Sequence, residues 1–109
     1  MSVPAVDDGT WAAEVLDAQV PVLVDFQAPW CGPCRAVSAL VDTLGERHAG
    51  RLRVLTLDVD ACPTTASRYD ILSVPTLILF RDGQPVERFT GRITEKRLTA
   101  ALTAHLDQE

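Results

Sequence analysis

Hydrophobic and polar positions follow two different periods along this chain, and the changes of period predict the order of its elements. Apart from one aspartate, the run Pro21 to Phe26 is apolar on both parities, which predicts a strand covered on both faces, as in a parallel sheet. From Pro33 to about Arg47 apolar residues recur at helical spacing, and Gly50 follows as a stop. Leu52 to Val59 is a second β-rich apolar run. We therefore expect a strand, a long helix and a second strand in this order.

Two shorter helices are predicted from the residues at their starts. Asp7 and Asp8 precede a run of good helix formers, which predicts an N-capped first helix that extends to about Ala18. Pro63 suits the first turn of a short helix that ends near Tyr69, after the second strand. Both helices lie next to predicted strands, so each strand has a helix available to cover it.

The C-terminal part of the chain predicts an antiparallel hairpin followed by a last helix. Thr76 to Phe80 and Val86 to Phe89 flank a turn, and Pro85 favours an edge position for the second of these strands. The last helix begins at Thr94. The complete order predicts an α/β fold with a central mixed β-sheet flanked by about four helices, in a single domain comprising residues 1–109.

Composition and charge narrow the classes of function. The chain has 109 residues, of which 47% are hydrophobic and 23% charged, a balance that suits a domain with its own core. The net charge of −5 repels phosphate backbones and anionic lipids, so neither nucleic acid nor a membrane is expected as a partner. The apolar runs are shorter than the ~20 residues that span a bilayer, and no signal peptide is visible at the start. We expect a cytoplasmic monomer.

The pair Cys31 and Cys34 is the strongest candidate for chemistry. It lies in WCGPC, where a buried strand gives way to a helix, so Cys31 is expected at the helix N-terminus. Amide groups and the helix dipole favour a thiolate there, which makes Cys31 the predicted nucleophile. Cys34 falls on the apolar face of the helix and is expected to be sheltered, able to attack only a disulfide already bound to Cys31.

Three other interpretations of the pair remain open at this point. A zinc site would need further ligands from Cys62, His48 and His105, none of which forms a second close pair, and we expect no metal. Two buried thiols without chemistry would leave the Gly-Pro insert unexplained. A thiol oxidant or disulfide isomerase could be built on the same motif.

Four segments match one known family in order and spacing. They are VLVDF at residues 22–26, APWCGPC at residues 28–34, VPT at residues 74–76, and Gly91. On this combination the chain resembles the thioredoxins, from about Asp7 onward. The resemblance implies a thioredoxin fold, which agrees with the order of elements predicted above, and it places a first short strand within residues 2–6.

The resemblance also implies an activity. Members of the family are protein-disulfide reductases that hold no bound cofactor and depend on NADPH indirectly, because an NADPH-dependent thioredoxin reductase recharges them. Their substrates include ribonucleotide reductase, peroxiredoxin and methionine sulfoxide reductase. Some members instead act as accessory subunits whose cysteines are dispensable, so a binding module is the alternative from a different class.

Asp25 is a carboxylate inside an apolar strand, and burial of its charged form costs several kcal/mol. We therefore expect a raised pKa. The resemblance implies that Asp25 accepts the proton of Cys34 during resolution, which makes it the third catalytic residue. The alternative is a carboxyl group satisfied by backbone hydrogen bonds.

The resemblance further implies a substrate-docking surface around Cys31. Pro75 occupies the place where members of the family hold a cis peptide bond facing the cysteines, although periodicity alone favours an ordinary trans proline at a strand start. A substrate strand would then lie against the backbone of the residue before it. The residues implied to bind substrate are Trp30, Gly32, Pro33, Val74, Pro75 and Gly91.

Four residues differ from common family patterns or stand outside them. Gln27 occupies a position where tryptophan is frequent, and Thr56 replaces a lysine near the buried carboxylate. Ala39 replaces a proline that kinks the long helix, so a straighter helix is expected. Cys62 precedes Pro63 at a helix start that would lower its pKa, and it is expected to be an inert packed thiol or a site of oxidation.

Overall fold

A mixed four-stranded sheet forms the centre of the molecule in a computed structural model that describes residues 3–106. Its strands are β1 (Val22–Gln27), β2 (Arg53–Asp58), β3 (Thr76–Arg81) and β4 (Gln84–Phe89), arranged in the order β2-β1-β3-β4. β1 pairs in parallel with β2 and antiparallel with β3, and β3 pairs antiparallel with β4. The predicted central mixed sheet is therefore confirmed, with its most apolar strand in the interior.

Four helical segments accompany the sheet. They are a π-helical segment (Ala12–Leu16) and the α-helices α1 (Cys34–Arg47), α2 (Pro63–Arg68) and α3 (Glu95–Leu106). The bounds of α1 and α2 agree with those predicted from the apolar spacing and from the proline at the first helical position. The α/β class with about four helices is confirmed.

The first helix differs from its prediction in length, type and capping. It ends at Leu16 rather than near Ala18, and no side chain caps its start. The carboxylate of Asp8 instead accepts hydrogen bonds from the backbone N–H and the hydroxyl of Thr65 in α2, at 3.0 and 2.5 Å. Asp7 accepts from the N–H of Thr10 in the turn before the helix. Asp8 is thus unavailable to the first helix because it closes the N-terminus of a helix far away in sequence.

The N-terminal segment touches the free edge of β2 over a short length. Ala5 forms an isolated parallel bridge with Thr56. The N–H of Val6 donates to the carbonyl of Thr56 at 2.9 Å, and the N–H of Thr56 donates to the carbonyl of Pro4 at 2.8 Å. The implied first strand within residues 2–6 is therefore a single bridge, and Ser2 lies outside the described residues.

The hairpin between β3 and β4 turns on two residues with positive φ, Asp82 at +53° and Gly83 at +77°. Such a turn matches the right-handed twist of the flanking strands. Pro85 pairs with Phe80 where the register shifts, on the edge strand β4. The predicted edge position of Pro85 is confirmed, because an edge strand can spare the N–H that proline lacks.

Both faces of the sheet are covered. Val22, Val24 and Phe26 of β1 belong to one core cluster, together with Trp11 and Tyr69, whereas Leu23 belongs to the other. The second cluster is aliphatic apart from Phe89, and the buried aliphatic residues of α1 and α3 belong to it. Asp25 shares the parity of Leu23, so its side chain points toward the face that α1 covers.

Candidate functional site

Cys31 and Cys34 are joined by a disulfide bond, with their Cα atoms 5.4 Å apart. The bond lies between the end of β1 at Gln27 and the first turn of α1, as expected for the strand-to-helix transition. Because each sulfur is bonded to the other, the pair is neither two inert free thiols nor two zinc ligands in this state. Within residues 3–106, no group of three or more His, Cys, Asp or Glu side chains is arranged to hold a metal ion.

The helix begins at Cys34 rather than at Cys31. Pro33 precedes its first residue, and the N–H of Cys31 donates to the carbonyl of Ala28 at 3.1 Å in a turn before the helix. The expectation that Cys31 itself occupies the helix N-terminus is therefore wrong by three residues. Gly32 and Pro33 form a turn between Cys31 and the helix, and proline suits this place because the N–H that it lacks would have no partner at a helix start. The disulfide holds the sulfur of Cys31 against the first turn.

The two cysteines differ in shelter. The exposed fraction is 7% for Cys31 and 2% for Cys34, and both pack against Ala28, Val59 and Val74. The expectation that Cys34 is the sheltered partner is confirmed. Access to the pair is therefore easier at Cys31.

Asp25 is completely buried on β1. Its Oδ2 accepts a hydrogen bond of 2.6 Å from the hydroxyl of Ser38, and its Oδ1 has no hydrogen-bond partner among the described residues. Burial raises the pKa of Asp25 from 3.8 to about 6, and the Ser38 hydrogen bond acts in the opposite direction. The alternative of a carboxyl group satisfied by backbone hydrogen bonds is wrong, because its partner is a side chain on α1.

Ser38 is the residue of this site that the sequence reasoning missed. It follows Cys34 by four positions on α1, so the two side chains share one face of the helix. That spacing was the available signal. The carboxyl group of Asp25, which lies beneath Ser38, is therefore placed on the side of α1 where Cys34 also lies.

A cleft of about 290 Å³ opens beside Ser38. Thr56 lies on its β2 side and donates its hydroxyl to the backbone carbonyl of Asp25 at 3.3 Å, not to the carboxyl group. Ser38 therefore contacts the buried carboxyl group of Asp25 and also lines the open cleft. The side chains that line the cleft are those of Val3, Gln27, Ser38, Ala39, Asp42 and Thr56.

A shallow groove lies on the other side of the disulfide. Trp30 is 71% exposed, and its Nε1 donates a hydrogen bond of 2.8 Å to Asp60, which fixes the indole ring. The peptide bond between Val74 and Pro75 is cis, as the resemblance implied. Leu72, at 94% exposure, is a large apolar side chain that the sequence reasoning did not single out. The groove, of about 100 Å³, is lined by Trp30, Val59, Ile71, Leu72, Ser73 and Val74.

The remaining implied substrate residues are not part of the lining of this groove. Gly32 and Pro33 are exposed between the two cysteines. Gly91 follows β4 with a φ of +69°, a conformation that favours glycine. Of the implied set, the structure brings Trp30 and Val74 together beside the disulfide.

Cys62 is a free thiol outside this site. It is buried at the start of α2 and belongs to the aromatic core cluster on the opposite face of the sheet. Burial raises the pKa of Cys62, so the expectation of a pKa lowered by the helix start is wrong. A thiol in this environment is poorly nucleophilic.

A disulfide between two cysteines that are separated by two residues, at the start of a helix beside a central strand, defines a thiol–disulfide oxidoreductase. The family model for thioredoxin matches residues 2–104, and the chain belongs to the thioredoxin family. Its fold is the thioredoxin fold, and its cysteine pair is the redox-active disulfide of a thioredoxin-type oxidoreductase. Among the described residues, no helix is long and apolar enough to cross a membrane.

Close relatives are similar along nearly the whole chain. A thioredoxin of Synechocystis sp. is 43% identical over 105 residues, which cover 96% of this chain and 98% of that protein. Thioredoxin 1 of Synechococcus elongatus is 45% identical over 107 residues, covering 97% of this chain and all of that protein. A thioredoxin of Mycobacterium bovis is 49% identical over 86 residues, covering 79% of this chain and 74% of that protein.

Proposed function

We propose that the protein reduces disulfide bonds of other proteins through its CGPC pair, with Cys31 attacking and Cys34 resolving. The observation that carries this proposal is the Cys31–Cys34 disulfide, in which Cys31 is the more exposed residue and Cys34 shares a helix face with Ser38, the hydrogen-bond partner of Asp25. The greater exposure of Cys31 supports its assignment as the attacking cysteine, and the burial of Cys34 supports its assignment as the resolving one.

The exchange proceeds in two displacements. The Cys31 thiolate attacks one sulfur of a substrate disulfide, that disulfide breaks, and the second substrate sulfur leaves as a thiolate. Cys34 then gives its proton to the carboxylate of Asp25 and attacks the sulfur of Cys31. The mixed disulfide breaks, the Cys31–Cys34 bond forms, and the substrate leaves with both sulfurs reduced. Two electrons pass from the cysteine pair to the substrate.

Asp25 suits the role of proton acceptor. Its pKa of about 6 leaves it mostly ionised at neutral pH while close enough to that pH to take up a proton. Its unpartnered Oδ1 can accept a hydrogen. Burial supports the role because the attraction between a carboxylate and a proton is stronger in the protein interior than in water.

The docking surface proposed for substrates surrounds the disulfide. The flat indole of Trp30 and the apolar side chains of Leu72 and Val74 would accept an extended substrate segment. Exposed apolar area beside a reactive bond is typical of a protein-binding surface. The residues proposed to contact substrate are Trp30, Gly32, Pro33, Val74, Pro75 and Gly91.

The proposed cycle needs a source of electrons from outside the protein. We infer that an NADPH-dependent thioredoxin reductase restores the dithiol, and that the protein itself carries no bound cofactor. Ribonucleotide reductase, peroxiredoxin and methionine sulfoxide reductase are the proposed substrates, by analogy with the family. We further propose that residues 1–109 act as one domain, as a cytoplasmic monomer without nucleic-acid or membrane partners.

Trapping of the mixed disulfide tests the order of the two cysteines. In Cys34→Ser the first displacement proceeds and the second cannot, so covalent complexes with substrate proteins should accumulate through Cys31. The complexes are measured by non-reducing electrophoresis and mass spectrometry of the linked peptides. Cys62→Ser is the matched control and should reduce substrates like the unmodified protein.

Two results would contradict the assignment. Linkage through Cys34 in a Cys31→Ser variant, with none in Cys34→Ser, would reverse the roles. Full biological activity of the double variant Cys31→Ser, Cys34→Ser would identify the protein as a binding module instead.

A further inference from the structure

The contact between Ser38 and Asp25 is the feature of this site that the exchange reaction leaves unexplained. The two oxygens lie 2.6 Å apart, a distance typical of a hydroxyl that donates to a carboxylate. Burial and this hydrogen bond are the two influences that set the pKa of Asp25, and they oppose one another. Among the described residues, Ser38 is therefore the polar group with the largest effect on the pKa of Asp25.

The hydroxyl proton of Ser38 has two acceptors within reach but can serve only one at a time. Oδ2 of Asp25 lies at 2.6 Å and Oε1 of Gln27 at 3.4 Å, so the shorter contact assigns the proton to Asp25. Gln27 is the second neighbour, on the cleft side. The bond to Asp25 holds one carboxylate oxygen and leaves the other without a partner.

The position of Ser38 on α1 connects the acid to the cysteine pair. Residues four apart on a helix lie on one face, with Cβ atoms about 5–6 Å apart, and Ser38 follows Cys34 by this spacing. A helix turn is rigid, so the same element fixes both the resolving sulfur and the donor that orients the acid.

We propose that Ser38 is a positioning residue for the exchange reaction: by holding Oδ2 of Asp25 it leaves Oδ1 as the oxygen that takes the proton of Cys34. The inference rests on the proposed role of Asp25 as proton acceptor. In the second displacement, the S–H bond of Cys34 breaks and an O–H bond forms at Oδ1. The electron pair left on sulfur attacks the sulfur of Cys31, and the proton later passes to solvent water.

The donor to the Asp25 carboxyl group is Ser38 on α1 and not Thr56 on the neighbouring strand β2. Thr56 stands on the neighbouring strand, directly paired with Asp25, and its hydroxyl reaches only the backbone carbonyl. A hydrogen bond from a neutral hydroxyl favours the carboxylate without adding a charge. The ionised form of Asp25 is thereby kept available near neutral pH in a site of low polarity.

The groups that face Asp25 come from three elements and the N-terminal segment. On α1, Cys34 and Asp42 are titratable, and Asp42 lines the cleft beside Ser38. β2 contributes Thr56 and β3 contributes Leu77, neither of which ionises in the relevant range. The N-terminal segment contributes Val3 to the cleft. Any test must therefore separate Asp25 from Cys34 and Asp42.

The test is a titration of the Asp25 side-chain carbon by NMR in the oxidised protein, where the disulfide removes the thiols as titrating groups. Ser38→Ala should raise the titration midpoint of Asp25 by about one pH unit, because it removes a hydrogen bond to the charged form. Ser38→Thr, which keeps a hydroxyl, should restore the midpoint. Asp42 is unchanged in every variant, so it cannot cause a difference among them.

Thr43→Ala is the matched control, because Thr43 lies on the same helix and its hydroxyl donates to the carbonyl of Ala39 rather than to Asp25. Its titration midpoint should equal that of the unmodified protein. An unmoved midpoint in Ser38→Ala, or equal movement in Ser38→Ala and Thr43→Ala, would overturn the proposal.

A kinetic measurement connects the titration to the reaction. The rate of mixed-disulfide resolution in Ser38→Ala should fall about fivefold at pH 6 and much less at pH 8, because a one-unit rise leaves less carboxylate at the lower pH. Asp25→Asn separates the two claims. If it leaves the resolution profile unchanged, the role of Asp25 fails; if it slows resolution while Ser38→Ala does not shift the profile, only the role of Ser38 fails.

A measurement on the unmodified protein keeps the test decisive if Ser38→Ala does not fold. The carboxyl carbon of Asp25 should show an isotope shift between H₂O and D₂O at pH 8, since the ionised group carries no proton of its own and the Ser38 hydroxyl is its exchangeable donor. The absence of such a shift would contradict the hydrogen bond on which the proposal depends.

Discussion

Asp25 is a charged residue type placed where the chain is otherwise fully apolar, between Val24 and Phe26 on the central strand. Its ionisation in the folded protein is opposed by burial, so the folded state binds the proton more tightly than the unfolded chain does. The resulting stability is fully present below the unfolded pKa and is lost as the pH rises through the folded pKa. At neutral pH the protein therefore carries a destabilising carboxylate at its proposed site.

Asp25→Asn should remove the free-energy cost of burying an ionised carboxylate. The pKa of Asp25 rises from 3.8 to about 6, so the variant should gain up to about 3 kcal/mol of unfolding free energy over the unmodified protein between pH 4 and pH 7.5. The measurement is urea unfolding of both oxidised proteins across this range. A difference that does not change with pH would contradict the raised pKa.

At the residue scale, the sequence predicts the unusual position of Asp25 but not its hydrogen-bond partner Ser38. A carboxylate inside an apolar run is visible without a structure, and so is WCGPC. Ser38 was missed because a serine on a helix is usually exposed, and only the packing of α1 over β1 places it against Asp25. Leu72 was missed for the opposite reason, since an apolar residue near a strand is usually buried.

α1 approaches β2 closely at one point. A Cβ atom added at Gly45 would lie 2.5 Å from Cγ2 of Val54, which is shorter than any normal contact. The branched side chain of Val54 is stiff at χ1 and cannot turn aside freely. Gly45 is thus required by the packing of the helix on the sheet, although glycine weakens a helix interior.

Gly45→Ala should lower the free energy of unfolding by about 1 kcal/mol, since overpacking costs roughly 1–3 kcal/mol and the gain in helix propensity returns about 1. In a Val54→Ala background the same substitution should stabilise by about 1 kcal/mol, because only the propensity gain remains. Denaturant unfolding of the four proteins gives both values. The same sign in both backgrounds would show that Val54 is not the obstacle.

At the element scale, local sequence patterns predict the bounds of a helix where no distant residue intervenes. Contacts between distant parts of the chain decide the rest. The bounds of α1 follow from its apolar spacing, and those of α2 from the proline at its start. The predicted capping of the first helix was wrong because Asp8 accepts a hydrogen bond from Thr65 in α2. This contact joins distant parts of the chain, and no local pattern contains it. α1 begins at Cys34, one residue after the predicted start at Pro33, which is its N-cap residue.

At the scale of the whole molecule, the two tryptophans lie in opposite environments, one in the core and one on the surface. Trp11 is buried among Phe26, Tyr69 and Phe80, and its Nε1 donates to the Tyr69 hydroxyl at 3.2 Å. Trp30 lies exposed beside the disulfide. The first ties the N-terminal segment to the sheet, whereas the second belongs to the surface proposed to contact substrates.

Trp11→Ala should therefore lower the free energy of unfolding by about 4 kcal/mol, as large buried aromatic residues do. Trp30→Ala should change it by less than about 1 kcal/mol and should weaken reduction of protein substrates. Thermal unfolding and a disulfide-reduction assay measure the pair. Equal losses of stability in the two variants would contradict the division.

At the scale of the whole molecule, the periodicity of the chain predicts the types of element but not their neighbours. It indicates that β1 is covered on both faces and that β4 lies at an edge, and both are confirmed. The order β2-β1-β3-β4 was not predicted, because it is decided by which strands share buried faces and not by the pattern within any one strand.

The reduction potential of the Cys31–Cys34 pair tests the central claim most directly. The protein is equilibrated in a series of thiol and disulfide buffers, the free thiols are alkylated, and both cysteines are quantified by mass. We expect a reversible disulfide between Cys31 and Cys34 with a reduction potential below the cytosolic glutathione poise, as a reductase requires. A much more oxidising pair would identify an oxidant or isomerase, and a pair that forms no reversible disulfide would contradict the proposed function altogether.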